Sequence, residues 1–210
     1  MTTTVLIADD HPLFRQALAL AVGRVLPQAR VVEAGTLAAA ARAAADTAGL
    51  ELILLDLKMP GAVGYSGIAL LHAECPEVPI LVVSSADGVA AEEEVRSFGA
   101  VGFLRKDSDL DRIEGAIQRA IRHHGQAMAR PPSTTPEAQV RDTVAGLTPT
   151  ELKVLLAVLE GKLNKQIAHA LGITEATVKS HMTAIMRKLD VSNRTQAALV
   201  ARSLGIDLRH

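Results

Sequence analysis

The sequence predicts two domains of different class: a doubly wound α/β domain with a five-stranded parallel sheet, then a small all-α domain of four helices. Three observations predict it. A chain of 210 residues suits one large domain or two small ones, at roughly 100–200 residues per domain. In the first half, five short Val-, Ile- and Leu-rich runs alternate with helical stretches, the pattern of βα units whose strands are covered on both faces. From Leu147 onward the apolar spacing and the capping signals are helical.

The strand-like runs are Thr4–Ala8, Arg30–Glu33, Glu51–Leu55, Pro79–Val83 and Val101–Leu104. Helical stretches follow each: Pro12–Val22, Leu37–Asp46, Gly67–Glu74, Val89–Phe98 and Leu110–His123. Residues 1–123 therefore form the first domain. Residues 124–146 carry three prolines and two hydroxyl clusters with no sustained apolar period, so they read as a linker, with room for a helical turn or two after Pro136. Residues 147–210 form the second domain. Thr148-Pro149-Thr150-Glu151 has capping-box spacing with proline at the first helical position, and that helix stops at Gly161. Asn164 is expected to cap a short helix ending near Gly172, Thr174 a longer one through Leu189, and a last helix occupies about Asn193–Leu204. Two helices meeting at a tight glycine-containing turn are a helix-turn-helix signature.

Composition removes several classes. Hydrophobic residues at 49% and charged residues at 21% exclude a disordered chain. Aromatics at 2% argue against a lectin-like, aromatic-caged or base-stacking surface. One cysteine, Cys75, permits neither an internal disulfide nor a cysteine zinc site, which fits a reducing compartment. No apolar run approaches the ~18 residues of a membrane span, and the start lacks a secretory signal. The expectation is a soluble cytoplasmic protein with no membrane contact. Charge is divided unevenly: residues 1–123 hold 16 acidic against 11 basic side chains, and residues 147–210 hold 5 against 9. The basic second domain is a candidate for nucleic acid.

The polar residues at the strand ends carry chemistry. Asp9-Asp10 follow the first strand, Asp56 the third, Ser84-Ser85 end the fourth, and Arg105-Lys106 follow the fifth. Parallel strands bring all of these to one sheet edge, where ligands bind in such folds. Three carboxylates in a partly desolvated crevice repel one another unless a cation joins them, and Mg²⁺, a hard ion that keeps waters for phosphoryl oxygens, is the natural one. Lys106 and the Ser84 hydroxyl are then available to other phosphoryl oxygens. That set suits phosphoryl transfer to a carboxylate. Each residue alone also has a bland reading, since Asp10, Ser85 or Asp87 can serve as a helix N-cap. Their coincidence at four strand ends favours the site. His11 reads as a turn or surface residue, Cys75 as passive, and Glu92–Glu94 as a solvated helix face.

These residues resemble a known family. ADDHPLFR, LILLDLKMPG, ILVVSSADG and GFLRKD stand in the order and at the spacings of the receiver domain of two-component response regulators, over Val5 to about Arg122. The resemblance implies strand order 2-1-3-4-5 and Asp56 as phosphoacceptor. It implies Asp9 and Asp10 as the acidic pair, with Asp10 a direct metal ligand, and the Lys58 backbone carbonyl as a further one. It also implies Ser84 as switch hydroxyl, Phe103 as switch aromatic and Lys106 as the phosphoryl-binding lysine. One departure is plain: Ala62–Ser66 precede Gly67 where most receivers have about two residues, so kinase specificity or dephosphorylation rate is expected to be unusual. A branch regulating alcohol or glycerol oxidation has a similar loop.

Advancing ~100° per residue from Val178 puts Val178, His181, Met182, Ile185, Met186 and Leu189 on one arc of a helix. Ala176, Lys179, Ser180, Thr183 and Arg187 fall on the other. The first arc is core. The second is short, polar and cationic, and fits a major groove; alone it is equally a solubilising face. The stretch Leu147–Leu204 resembles the LuxR-type (GerE-like) helix-turn-helix through Leu147-Thr148, Glu151, Gly161, Asn164-Lys165, Ile167-Ala168, Thr177-Val178-Lys179, His181, Lys188-Leu189 and Arg194. That resemblance implies Lys179, Ser180 and Thr183 as base contacts. Asn164, Lys165, Thr177, Lys188 and Arg194 become phosphate or scaffold contacts.

The two resemblances together indicate a response regulator of the NarL/FixJ class. They imply a sensor histidine kinase that phosphorylates Asp56 with Mg²⁺, then dimerisation and binding to promoter DNA; the chain is no enzyme beyond assisting its own phosphotransfer and dephosphorylation. A DNA-binding regulator controlled without phosphorylation is the alternative. An aspartate-nucleophile hydrolase like the haloacid dehalogenase phosphatases would need a second acid two residues after Asp56, where this chain has Lys58.

Overall fold

The computed structural model describes residues 3–62, 64–85, 89–122, 143–144 and 146–202, without the side chains of Val89, Ala90, Ala91 and Glu93. The helical turn expected after Pro136, nearly all of the linker and the suggested Asp87 cap lie outside the described residues. The chain divides into two compact units, Met1–Pro131 and Pro132–His210.

In the first unit five parallel strands, β1 (Thr4–Ala8), β2 (Arg30–Ala34), β3 (Leu50–Leu55), β4 (Ile80–Ser84) and β5 (Gly102–Arg105), form one sheet in the order β2-β1-β3-β4-β5. The expected order is the one observed. Five helices connect them: α1 (Pro12–Val25), α2 (Leu37–Asp46), α3 (Ser66–Glu74), α4 (Val89–Ser97) and α5 (Leu110–Ile121). β1 and β4 are buried along their whole length, which is why they read as unbroken apolar runs, whereas the edge strand β2 buries only Ala34 fully. On one face Leu18 and Val22 of α1 and Ile113 and Ile117 of α5 pack against Val5, Ile7, Leu52 and Leu54. Each such side chain contributes about 1.5–3 kcal/mol by leaving water. Several element ends differ from expectation by one to three residues. α1 runs on to Val25, and α3 begins at Ser66, which is buried, so the long loop after Asp56 ends at Tyr65.

The second unit holds α6 (Pro149–Leu159), α7 (Asn164–Leu171), α8 (Glu175–Lys188) and α9 (Arg194–Ala201). Thr148 and Glu151 form the expected capping box, with Glu151 N–H donating to Thr148 Oγ1 at 3.3 Å and Thr148 N–H to Glu151 Oε2 at 2.7 Å. Thr174 and Asn193 cap α8 and α9. Asn164 does not cap α7: Leu163 is the cap residue, Gln166 accepts its N–H at 2.8 Å, and Asn164 is the first helical residue. Gly172 closes α7 at φ +66°, a left-handed turn that a Cβ would strain, and this lets α8 follow at once.

Candidate functional site

The sheet register delivers the acidic site. Asp56 N–H donates to Ala8 O at 2.8 Å and Lys106 N–H to Ser84 O at 3.0 Å, so each ladder runs one step past its strand and brings the following side chain to the same edge. Asp9 and Asp56 are 1% and 2% exposed, Ser84 is fully buried, and the Asp10 side chain is one-third exposed. Ligand atoms of Asp9, Asp10, His11 and Asp56 lie within 4.8 Å of one another. The Lys106 ammonium sits 2.8 Å from Asp56 Oδ2, 2.6 Å from Asp9 Oδ2 and 4.9 Å from the centroid of the Phe14 ring. Lys58 N–H donates to Asp56 Oδ1 at 3.1 Å, while the Lys58 residue itself is exposed.

Charge in this crevice is unbalanced. Burial pushes the Asp56 carboxyl above the usual carboxylate range, with Asp9 adding to it, although Lys106 and the Lys58 N–H pull the other way. Burial also works against the Lys106 cation, but its contacts with Asp56 and Asp9 outweigh that and raise it above an ordinary lysine. Asp9 Oδ2 touches Lys106 off the hydrogen-bonding direction. It and Asp10 Oδ1 are the buried side-chain oxygens left without a hydrogen-bond donor among the described residues. Three carboxylates, one ammonium and two undonated oxygens are a donor set that fits a hard divalent cation. Neither Asp9 nor Asp10 caps α1: Asp9 Oδ1 accepts the N–H of His11, the cap residue, at 2.8 Å.

Several contacts were not read from the sequence. His11 Nδ1 approaches Asp10 Oδ1 to 2.6 Å, so the residue read as a turn or surface position also borders the acidic pair while 66% exposed. Arg15 donates to the Asp9 carbonyl at 2.8 Å and to Glu33 Oε2 at 2.7 Å, clamping the β1–α1 loop to β2. It stands in the ADDHPLFR segment, and only the fold shows what it reaches. Phe103, on β5 opposite Val82, borders a cavity of about 170 Å³ with Glu92, Arg96, Ala116 and Arg119, which leaves that ring space to move. Glu94 is not part of a solvated face. It is half-buried and accepts the Tyr65 hydroxyl, whereas Glu92 is exposed and pairs with Arg96 at 3.0 Å.

In the second unit the two arcs of α8 separate as expected. Val178, Met182, Ile185 and Leu189 are buried and His181 and Met186 half-buried; Ala176, Lys179, Ser180, Thr183 and Arg187 are exposed. Thr183 Oγ1 donates back to the Lys179 carbonyl at 3.1 Å. Lys165 is exposed, and Thr177 shares the Thr174 cap, with hydroxyls 2.8 Å apart. Lys188 and Arg194 point inward: Lys188 donates to Glu151 Oε2 at 2.7 Å and to Gly146 O at 3.1 Å, and Arg194 donates to Asn164 Oδ1 at 2.9 Å and to the Lys162 carbonyl.

Residues 5–118 match the response regulator receiver domain, and residues 145–201 match the bacterial regulatory proteins of the luxR family. The chain belongs to the response regulators. It is a two-component, DNA-binding transcriptional regulator of the NarL/FixJ class, a receiver joined to a LuxR-type helix-turn-helix domain. It is 36% identical to the glycerol metabolism activator of Pseudomonas putida over 207 residues, covering 94% of both chains. It is 32% identical to the nitrate/nitrite response regulator NarP of Escherichia coli, covering 93% of both. Among solved structures it resembles full-length FixJ from B. japonicum at 26% identity, with a TM-score of 0.51 and full coverage of both chains. Among the described residues of this response regulator, no helix is long and apolar enough to cross a membrane.

Proposed function

We propose that this response regulator is switched in the cytoplasm by phosphorylation of Asp56 from a sensor histidine kinase, and that phosphorylation promotes dimerisation and promoter binding. Residues 1–123 act as receiver, 124–146 as linker and 147–210 as the DNA-binding domain. One observation carries the reading: Asp56 is buried beside Asp9, Asp10 and Lys106 with more carboxylate charge than the chain itself neutralises. Asp9, Asp10, Asp56 and the Lys58 carbonyl would hold Mg²⁺, which supplies charge neutralisation for the transfer. An Asp56 carboxylate oxygen attacks the phosphorus of a phosphohistidine; the P–O bond forms as the P–N bond breaks, and the imidazole leaves with a proton. Lys106, 2.8 Å from Asp56 Oδ2, is near enough to neutralise charge on the acquired group, and the Ser84 hydroxyl binds one of its oxygens. Ser84 and Phe103 then shift inward and alter the surface formed by α4, β5 and α5, or that formed by α1 and α5. The same constellation assists loss of the phosphoryl group.

On DNA, Lys179, Ser180 and Thr183 read base edges from the N-terminal half of α8. Asn164, Lys165, Thr177, Lys188 and Arg194 position that helix, the last two through contacts inside the domain. A dimer would bind two half-sites about one helical turn apart. The similarity to a glycerol metabolism activator makes promoters of glycerol-metabolism genes the first to assay. The test is intact mass after incubation with Mg²⁺ and acetyl phosphate. A single phosphoryl addition that needs Mg²⁺ and is absent from Asp56→Asn is expected; addition in the mutant would remove Asp56 from the mechanism.

A further inference from the structure

The long loop after Asp56 ends in a contact that phosphotransfer does not require. Gly61 and Gly64 take φ of +86° and +54°, and the chain enters α3 with Tyr65 as the cap residue. The Tyr65 side chain makes no cap hydrogen bond to α3. Its ring instead stacks on Phe98, with centroids 5.2 Å apart and planes inclined by 21°, and its hydroxyl donates to Glu94 Oε2. Phe98 is 1% exposed, so the stack is anchored in the core at the end of α4. Glu94 lies on α4 itself, and α4 packs on β5, the strand that carries Phe103. One side chain thus ties the segment beside the phosphoacceptor to the helix that faces the switch strand.

These contacts belong to a particular arrangement of the site. In it the Lys106 ammonium lies 2.6 Å from Asp9 Oδ2 and 2.8 Å from Asp56 Oδ2, so its contacts are with the carboxylate oxygens themselves. A phosphoryl group on Asp56 turns one of its oxygens into the bridging oxygen of a mixed anhydride and gives Lys106 a new anion to contact. A bond present in one of two arrangements biases their equilibrium by its own free energy, and whatever favours the second must overcome it. The stack on Phe98 could serve packing alone. The hydroxyl bond to Glu94 is different, since it is directional and charge-assisted, and it can be removed without opening the core.

We propose that Tyr65 is a positioning residue: through Glu94 it holds α4 in the arrangement that accompanies a free Asp56 carboxylate, and so opposes occupation of Asp56. This rests on the reading of Asp56 as phosphoacceptor. The occupied state can be mimicked by beryllofluoride with Mg²⁺, using the full-length chain. Tyr65 is the one tyrosine, and the chain has no tryptophan, so tyrosine emission reports this residue alone. A phenol bound to a carboxylate is quenched, and emission is expected to rise when beryllofluoride binds. In calorimetry, Tyr65→Phe, which keeps the stack, should bind beryllofluoride about three- to tenfold more tightly than the unaltered chain, the size of one partly solvated hydrogen bond to a charged group. Glu94→Ala should do the same, and the double variant should gain no more than either single one. Beryllofluoride binding with flat emission, or with unchanged or weaker affinity in Tyr65→Phe, overturns the role of Tyr65 and leaves the phosphoacceptor reading standing. Failure of the unaltered chain both to bind beryllofluoride and to gain mass from acetyl phosphate overturns both.

Discussion

Lys106 in the receiver and Lys188 in the DNA-binding domain each set an ammonium against a buried carboxylate, and the two carboxylates respond in opposite directions. Glu151 lies below its usual range: burial is the largest influence and pushes it up, but Lys188 and the Thr148 N–H at 2.7 Å together outweigh it. Asp56 lies above its usual range because burial and the neighbouring Asp9 prevail over the same kind of lysine contact. The difference lies in the balance between burial, the largest influence on each, and the partners that offset it. Glu151 accepts from both Lys188 and the Thr148 N–H, whereas the one Lys106 ammonium is shared between Asp9 and Asp56. A satisfied pair is a structural tie between α6 and α8. An overcharged crevice costs stability and marks a place built for something the chain does not itself supply.

The largest effect should come from breaking the satisfied pair. Glu151→Ala removes the capping box and leaves Lys188 facing a buried site without its anion, at a cost of about 3 kcal/mol in urea unfolding of the second unit. A cost below about 1 kcal/mol would show the pair to be no stronger than a surface one. Next, Lys179→Ala contrasts an exposed lysine with a committed one. It should weaken specific DNA binding by roughly 1–3 kcal/mol and relax preference at one base position, whereas equal weakening on all sequences would make Lys179 a phosphate contact. In the crevice, Asp9→Asn should weaken Mg²⁺ binding by about tenfold or more in calorimetry, about 1.4 kcal/mol. Its effect on stability should be within about 1 kcal/mol, or favourable, because one of the crowded charges is gone. A large loss of stability would make Asp9 structural.

The smallest effect, in pH, has opposite signs in the two units. Glu151 is held below the ordinary 4.5 of a glutamate, so its contribution is complete above that pH and is lost as pH falls through the folded value. Asp56 is held above 3.8, so the folded receiver binds its proton more tightly than the unfolded chain, and ionisation costs stability as pH rises through the folded value. Urea midpoints taken between pH 6 and 3 should therefore show Glu151→Gln removing an acid-side loss and Asp56→Asn removing an acid-side gain. The same sign for both would contradict the contrast.

Much of the site was legible because it sits where local rules and topology coincide. Strand ends are marked by the change from apolar runs to Asp9, Asp56, Ser84 and Lys106, and parallel strands leave one edge for them to share. The faces of α8 were legible from a single period, since burial follows the angular position of each residue. Asn164 shows the limit. A good cap residue was set one position inside the helix, where its side-chain Oδ1 accepts from Arg194, thirty residues on. Glu94 shows it again, since a run of three glutamates reads as solvated until Tyr65 arrives from another loop.

The order of elements, the caps of α6, α8 and α9, the buried and exposed arcs of α8 and the types of residue at the strand ends were determined by the sequence itself, because each depends on neighbours within a few positions. Tertiary structure decided the charge balance of the crevice, the commitment of Lys188 and Arg194 to the interior, the clamp made by Arg15 and the tie from Tyr65 to α4. Those depend on the direction and separation of side chains distant in sequence. Electrostatic and hydrogen-bond energies change sharply over a few ångströms, and residue type alone carries no such distance.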